Sequence, residues 1–258
     1  MKVVLLAGGL GTRLREETEF RPKPMVNIGA RPILWHIMKT YAHYGHQDFV
    51  ICLGYKGDVI RDYFLNYEVR HRDVTVTLGT RDVHVHGSHA ETGWTVTLAE
   101  TGESTLTGGR LGRVARFLLN EDRFMVTYGD GVADIDLDRL LAFHKSHGKL
   151  ATLTAVRPSS RFGEVVIDSN LVQAFQEKPQ VQGGWINGGF FVFERAALDI
   201  IAGDEESLEQ SLLVKLTAMK QLAVFQHTGF WQCMDTPREM ELLNELWRQD
   251  KAAWAVWR

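Results

Sequence analysis

Lys2-Val3-Val4-Leu5-Leu6-Ala7-Gly8-Gly9-Leu10-Gly11-Thr12-Arg13-Leu14 is the stretch that decides the fold. Val3 to Leu6 is a short apolar run that stops at glycines, the pattern of a buried strand. A loop follows from Gly8 to around Gly29. Pro32 suits the first position of a helix, and Gly45 suits its end. Asp48 to Leu53 reads as a second buried strand, and Val59 to Phe64 as part of a second helix. This β-loop-α-β-α order predicts a parallel sheet with helices on both faces.

The middle of the chain changes character. Val74 to Leu78, Val83 to His86 and Trp94 to Leu98 alternate apolar with polar residues, as half-exposed strands do. They are expected to form an antiparallel excursion from the main sheet. Regular order resumes with a helix from about Arg110 to Leu119, a strand at Phe124 to Tyr128, a helix at Leu137 to His147 and a strand at Ala151 to Val156. Hairpin strands are expected at Glu164 to Ile167 and Leu171 to Phe175, and another strand at Phe190 to Phe193. The rest is expected to be helical apart from Ala223 to Gln226. Thr236-Pro237-Arg238-Glu239 marks a helix start, with Thr236 as cap, Pro237 in the first turn and Glu239 completing a capping box. Met240, Leu243 and Trp247 then share one face. Trp254 and Trp257 in the tail are expected to pack on the domain or on another subunit.

The formal net charge of -3 leaves no global basic field to attract nucleic acid, so an anionic ligand must be held by local groups. No run approaches the roughly 20 apolar residues that span a bilayer, and Met1 to Leu6 is too short for the apolar region of a signal peptide. Neither a nucleic-acid nor a membrane partner is therefore expected. The two cysteines, Cys52 and Cys233, sit among apolar or aromatic neighbours and form no CxxC pair. Two buried free thiols suit a reducing cytoplasm.

Glycines after a strand let backbone N–H groups approach phosphate oxygens closely. Two familiar phosphate loops fail here on spacing. A Walker A loop needs a terminal Lys-Ser/Thr pair, and the dinucleotide fingerprint would require a glycine where Leu14 stands. What sets this loop apart is Arg13 within it and Lys23 between two prolines in Arg21-Pro22-Lys23-Pro24-Met25. The prolines fix the backbone around Lys23. Taken alone, a proline-flanked lysine is an ordinary surface residue. Asp130, in Tyr128-Gly129-Asp130-Gly131, lies just past a buried strand, on the sheet edge where α/β proteins bind ligands. Asp235, in Cys233-Met234-Asp235-Thr236, could equally be a turn or cap residue.

LAGGLGTRL followed by a Lys-Pro pair resembles the signature of the sugar-phosphate nucleotidylyltransferases, which join a nucleoside triphosphate to a sugar 1-phosphate and release pyrophosphate. The resemblance implies that Leu6, Ala7, Gly8, Gly9, Gly11 and Thr12 wrap the nucleotide while Arg13 and Lys23 hold its phosphates. It makes Asp130 and Asp235 the metal-binding pair, with Arg13, Lys23 and Asp130 as catalytic residues. Two hard carboxylates completed by triphosphate oxygens and water suit Mg²⁺. Gln176-Glu177-Lys178-Pro179 and Ile186-Asn187-Gly188-Gly189 are similar to the family's sugar-binding segments, which assigns Glu177, Lys178, Asn187 and Gly188 to the sugar phosphate. The chemistry agrees. An anion must attack a tetra-anionic triphosphate, so fixed cations and N–H donors are the catalyst and no covalent nucleophile is needed.

Within the family, Arg31-Pro32-Ile33-Leu34-Trp35-His36, Cys52-Leu53-Gly54-Tyr55-Lys56-Gly57, Thr107-Gly108-Gly109-Arg110-Leu111 and Phe230-Trp231-Gln232 resemble the branch that uses CTP and glucose 1-phosphate. That branch implies nucleotide contacts at Thr105, Arg110 and Gly129. For Arg110 the alternative is a helix-start residue facing water. The sequence departs from the family at Cys233, where proline is frequent. It departs again near Ser207 to Leu212, where a Trp and a Glu-Pro are missing.

Other groupings carry less. His84, His86 and His89 lie close together, but no cysteine or carboxylate completes a zinc set in sequence. Ser88, Ser104 and Ser146 sit in no nucleophile elbow. A dinucleotide oxidoreductase lacks its fingerprint. A non-catalytic nucleotide-sugar sensor would be free to lose Arg13, Lys23, Asp130 or Asp235, and all four are present. The same reaction with UTP or dTTP stays open as the competitor within the enzyme class. The expectation is one domain over residues 1–258: an α/β fold, a three-layer α/β/α sandwich on a mostly parallel, Rossmann-like sheet with antiparallel strands inserted. The resemblance further implies a cytoplasmic homo-oligomer whose product feeds dideoxysugar synthesis for cell-surface polysaccharide.

Overall fold

The computed structural model describes every residue except 12–13, 159–163, 169–170 and 177–183. Its first strand, β1 (Lys2–Leu6), is buried from Val3 onward. The loop after it carries the short helix α1 (Arg15–Thr18), a 3-10 turn at Lys23–Met25 and a small ribbon of β2 (Asn27–Ile28) and β3 (Arg31–Pro32). Pro32 stands one residue ahead of α2 (Ile33–His43), its extended backbone leading into the helix. Then come β4 (Asp48–Leu53), α3 (Gly57–Leu65), α4 (Tyr67–His71) and a hairpin of β5 (Val74–Thr77) and β6 (Asp82–Val85). β7 (Thr95–Glu100), α5 (Thr107–Val114), β8 (Arg123–Tyr128), β9 (Gly131–Ala133), α6 (Leu137–His147) and β10 (Ala151–Val156) follow. A second hairpin, β11 (Glu164–Asp168) and β12 (Leu171–Gln176), precedes β13 (Ile186–Glu194). The chain ends with a π-helical turn at Leu208–Leu212, α7 (Leu213–Ala218), β14 (Leu222–His227), β15 (Trp231–Cys233) and α8 (Pro237–Arg248).

Among the described residues, seven strands form the main sheet in the order β14-β10-β13-β8-β1-β4-β7. β1, β4, β7 and β8 run parallel, as do β10 and β14, whereas β13 is antiparallel to both its neighbours. Alternate side chains divide the core between two faces, because successive strand residues point to opposite sides. Val3, Leu5, Phe49, Ile51 and Met125 pack with Leu34 and Met38 of α2 and Leu243 of α8. Val4, Val50, Val126, Phe191 and Phe193 pack with Leu111 and Val114 of α5 and Leu216 of α7. The result is the expected three-layer, mostly parallel α/β sandwich.

Three expectations need correction. Thr95–Glu100 does not join the antiparallel excursion: β7 pairs parallel with β4 as the edge of the main sheet. An edge strand has a neighbour on one side only, so its exposed residues mimic the alternation of a hairpin. The helix expected from Arg110 begins at Thr107 and tightens into a 3-10 turn at Ala115–Phe117. Trp231–Cys233, expected to be helical, is a strand paired with β9. The hairpin β5–β6 does stand apart, with Val74, Val76, Leu78 and Val83 exposed.

The tail packs on its own domain. Trp254 is fully buried, stacked on Phe230 with ring centroids 5.5 Å apart, and Trp257 meets Trp35 edge-on at 5.9 Å. His36, on α2, sits inside this aromatic cluster, 4.6 Å from the ring of Trp247. Its Nε2 lies 3.0 Å from the carbonyl of Ile28 and donates to it, while Nδ1 accepts from Trp254 Nε1 at 3.4 Å. Burial, aided by Arg258 and Arg31, holds the His36 pKa down at about 4 against an ordinary 6.5.

This depressed value makes a pH prediction. The unfolded chain binds the proton that folded His36 refuses, so the stabilisation is complete above pH 6.5 and is lost as pH falls through about 4. We expect wild-type protein to lose roughly 3 kcal/mol more than His36→Leu over that window, read as urea midpoints at successive pH values. Parallel curves would exclude His36 as the source.

Candidate active site

The parallel strands β1, β4, β7 and β8 end on one side of the molecule, and a cavity of about 730 Å³ opens there. Crevices at the carboxyl ends of parallel strands are where such sheets bind ligands. The loop from Leu6 to Gly11 forms one wall, Glu103 to Thr107 another, Tyr128 to Gly131 the floor, and Asn187 to Phe190 the far side.

Arg110 fixes the first of these walls. It is buried, and its guanidinium donates to five oxygens. Nη1 reaches Leu53 O at 2.9 Å, Thr101 Oγ1 at 2.7 Å and Gly102 O at 2.8 Å. Nη2 reaches Gly8 O at 3.0 Å and Glu103 O at 3.2 Å. A Cβ on Gly8 would lie 2.2 Å from Nη1, which is why the loop carries glycine where it crosses the guanidinium. Burial draws the Arg110 pKa below the ordinary guanidinium value, though it stays charged at any working pH. Neither expectation for Arg110 anticipated this: it does not face water, and its donors already hold the loops that form the cavity.

Lys23 fixes the second part. The 3-10 turn after Pro22 buries it, and its ammonium lies between two carboxylates from far along the chain. Nζ is 2.7 Å from Asp130 Oδ2, in the turn between β8 and β9, and also donates to Asp235 Oδ1, just before α8. Burial alone would lower the Lys23 pKa, but Asp130 and Asp235 outweigh it and hold it above the ordinary lysine value. The capping box expected at Thr236 and Glu239 is present and anchors the backbone beside Asp235.

On the far side, Trp231 Nε1 donates to Gly188 O at 2.8 Å, and Asn187 Nδ2 donates to the Tyr128 hydroxyl at 3.1 Å. Thr105 is buried in the cavity wall, and Gly129 N donates to Leu6 O at 3.1 Å. The structure thus gathers Leu6, Ala7, Gly8, Gly9, Gly11, Lys23, Thr105, Arg110, Gly129, Asp130, Asn187, Gly188 and Asp235 around one cavity. Thr12, Arg13, Glu177 and Lys178 lie outside the described residues.

Some features were not anticipated. Cys233 is half-buried and lines the cavity, with Sγ 3.9 Å from Asp235 Oδ2, rather than being a core thiol like Cys52. Burial, with Glu239 and Asp235 nearby, pushes its pKa up to about 12. The tryptophan of Trp231-Gln232 becomes a cavity residue because β15 pairs with β9, and the period-two pattern of so short a strand is its only sequence signal. His89 meets carboxylates that sequence distance had hidden, Glu68 at 2.5 Å and Glu91 at 3.2 Å. Among the described residues, no cluster of three or more His, Cys, Asp or Glu is arranged to hold a metal ion.

The nucleotidyl transferase family model matches residues 2–236. The glucose-1-phosphate cytidylyltransferase of Salmonella typhi is 51% identical over 257 residues, covering 100% of both chains. The mannose-1-phosphate guanylyltransferase catalytic subunit beta of Dictyostelium discoideum is 32% identical over 245 residues, covering 93% of this chain and 62% of that protein. Among solved structures, HddC from Yersinia pseudotuberculosis superposes with a TM-score of 0.70 at 24% identity, covering 95% of this chain and 99% of that one, a likeness of fold.

The five-acceptor arrangement predicts that Arg110→Met destabilises the protein by about 3 kcal/mol or more, since each buried oxygen left without a donor costs on the order of 1–3 kcal/mol. Arg110→Lys should recover only part, because one ammonium cannot span both sides of the guanidinium. Urea unfolding of the three proteins checks this, and an Arg110→Met protein as stable as wild type would refute it.

Proposed function

The chain belongs to the nucleotidyl transferase family, and on that premise we propose that it transfers the cytidylyl group of CTP to α-D-glucose 1-phosphate, giving CDP-glucose and pyrophosphate. The observation that carries this reading is the closure of Asp130 and Asp235 on one cation, Lys23 Nζ, beneath the glycine loop. The choice of CTP and glucose 1-phosphate is supported by the full-length likeness to the Salmonella typhi enzyme.

Two hard carboxylates that already surround one positive charge are a donor set that fits Mg²⁺, which takes carboxylates, phosphate oxygens and water. Asp130 and Asp235 would hold it, and when bound it offsets the charge of the triphosphate. Leu6, Ala7, Gly8, Gly9, Gly11 and Thr12 wrap the nucleotide, with Thr105, Arg110 and Gly129 along the base and ribose side. Glu177, Lys178, Asn187 and Gly188 orient the sugar phosphate. Its phosphate oxygen attacks the α-phosphorus in line, a new P–O bond forms, and the bond to the β-phosphate breaks. Arg13 and Lys23 take up the negative charge that moves onto pyrophosphate. No enzyme-bound intermediate is required.

We further propose that residues 1–258 act as one catalytic domain in a cytoplasmic homo-oligomer. The exposed valines of β5–β6 support association, because a two-stranded ribbon is marginal in water without a covering partner. No helix among the described residues is long and apolar enough to cross a membrane.

Pyrophosphate release from glucose 1-phosphate, with CTP, UTP, dTTP, ATP and GTP offered separately and with Mg²⁺ or EDTA, tests the reading. CTP should be preferred and EDTA should stop release. A preference for UTP or dTTP would keep the mechanism and replace the base. Tight nucleotide-sugar binding without release from any triphosphate would favour a sensor. In the same assay Arg13→Ala should lower kcat by ~10²–10³, the range for losing one preorganised charge stabiliser, and near-normal turnover would remove Arg13 from the mechanism.

A further inference from the structure

Tyr128, the last residue of β8, has its ring held in place from two sides. Phe191 meets it edge-on at 5.8 Å, and Gly189, at φ 79°, passes so close that a Cβ there would lie 2.5 Å from the ring. Its hydroxyl carries one proton, and the partners decide where that proton goes. Glu209 Oε1 lies 2.5 Å away and can only accept when ionised. The phenol therefore donates to Glu209, and the Tyr128 oxygen accepts from Asn187 Nδ2 at 3.1 Å. Asn187 Oδ1 accepts from Gly189 N at 2.9 Å, and a backbone N–H can only donate. The amide that lines the cavity is thereby fixed in one of its two orientations.

Glu209 is not part of the cavity wall. The residue is exposed, yet its carboxylate collects three hydroxyl donors: Tyr128, Thr107 Oγ1 at 2.7 Å and Ser207 Oγ at 2.8 Å. Burial of the carboxylate would raise its pKa, but these donors prevail and hold it below the ordinary value, so it is ionised at neutral pH. The start of α5 has anchors of its own. Leu106 N and Gly109 N donate to Asp204 O and Glu206 O, both at 2.9 Å, and Leu208 N donates to Thr107 Oγ1 at 2.9 Å. Loss of the Glu209 charge therefore takes an acceptor from Thr107 Oγ1 but leaves the backbone of that wall anchored, and its larger effect falls on Tyr128 and Asn187.

We propose that Glu209 is a positioning residue for the sugar phosphate: it directs the Tyr128 proton to itself, which leaves the phenol oxygen as the acceptor that seats the Asn187 amide against the sugar. This rests on the cytidylyltransferase reading of the cavity. Gly189 N–H holds Oδ1 toward itself, so a Tyr128 proton turned toward Nδ2 would set donor against donor and push the Asn187 amide out of place, and the site would bind the sugar less well without losing its fold.

Steady-state kinetics of Glu209→Gln, Tyr128→Phe and the double variant provide the test. Gln keeps the volume of Glu209 but removes the charge and adds a donor facing the phenol. We expect KM for glucose 1-phosphate to rise about fivefold or more while KM for CTP stays within about twofold, a modest effect because Glu209 is partly solvated. The double variant should be no worse than the worse single, because both act through one contact. The urea midpoint should not move. Equal rises in both KM values, an additive double variant, or a wild-type KM for glucose 1-phosphate in Glu209→Gln would each overturn the assignment while leaving the functional reading intact. A wild-type protein inactive with CTP and glucose 1-phosphate would overturn both.

Discussion

The guanidinium of Arg110 ties together the ends of three neighbouring strands. Gly8 follows β1, Leu53 closes β4, and Thr101, Gly102 and Glu103 follow β7, and all five acceptors meet on one side chain. Parallel strands leave their last carbonyls pointing out of the sheet, where they need donors or water. A buried cation with five N–H groups satisfies several at once and excludes water from the base of the glycine loop. The loop is thus tied at Gly8 to the ends of β4 and β7 by protein contacts alone. The opposite half of the cavity uses the same device with a different cation, since Lys23 joins the turn after β8 to the segment leading into α8.

These two cations differ in kind. Arg110 donates only to neutral oxygens, and burial outweighs the more distant Glu100 in drawing its pKa down. Lys23 faces two carboxylates, and that small cluster carries a net negative charge of one. The first arrangement suits scaffolding, because removing it leaves orphaned acceptors. The second suits exchange, because a carboxylate pair can accept another cation in place of an ammonium.

Much of this architecture was legible in the sequence. Asp48–Leu53, Leu137–His147 and Ala151–Val156 fall where apolar pattern and turn residues put them, because buried parallel strands and capped helices carry strong local signals. The glycine loop was legible too, being local. β7 was not, since an edge strand and an exposed hairpin strand share one alternation. The meeting of Asp130 with Asp235 depends on the whole fold, and only family likeness anticipated it. Glu209 and His36 were invisible for a related reason. A carboxylate that collects hydroxyls from three segments, or an imidazole enclosed by tryptophans from the chain's end, is defined by contacts that leave no periodic trace.

The reversal of β13 has a consequence for how such a protein can diversify. β10 leaves the sheet at Val156 and β13 re-enters beside it at Ile186, with Val156 opposite Ile186 in the register. No crossover helix has to return the chain to the other edge, so the stretch between them can change length without shifting any strand. Among the described residues within it, β11 and β12 pair with each other and with no strand of the main sheet. Insertions and deletions there are cheap in closure entropy. That appendage can therefore be exchanged while the strands that lead to Asp130 and to the glycine loop keep their spacing unchanged.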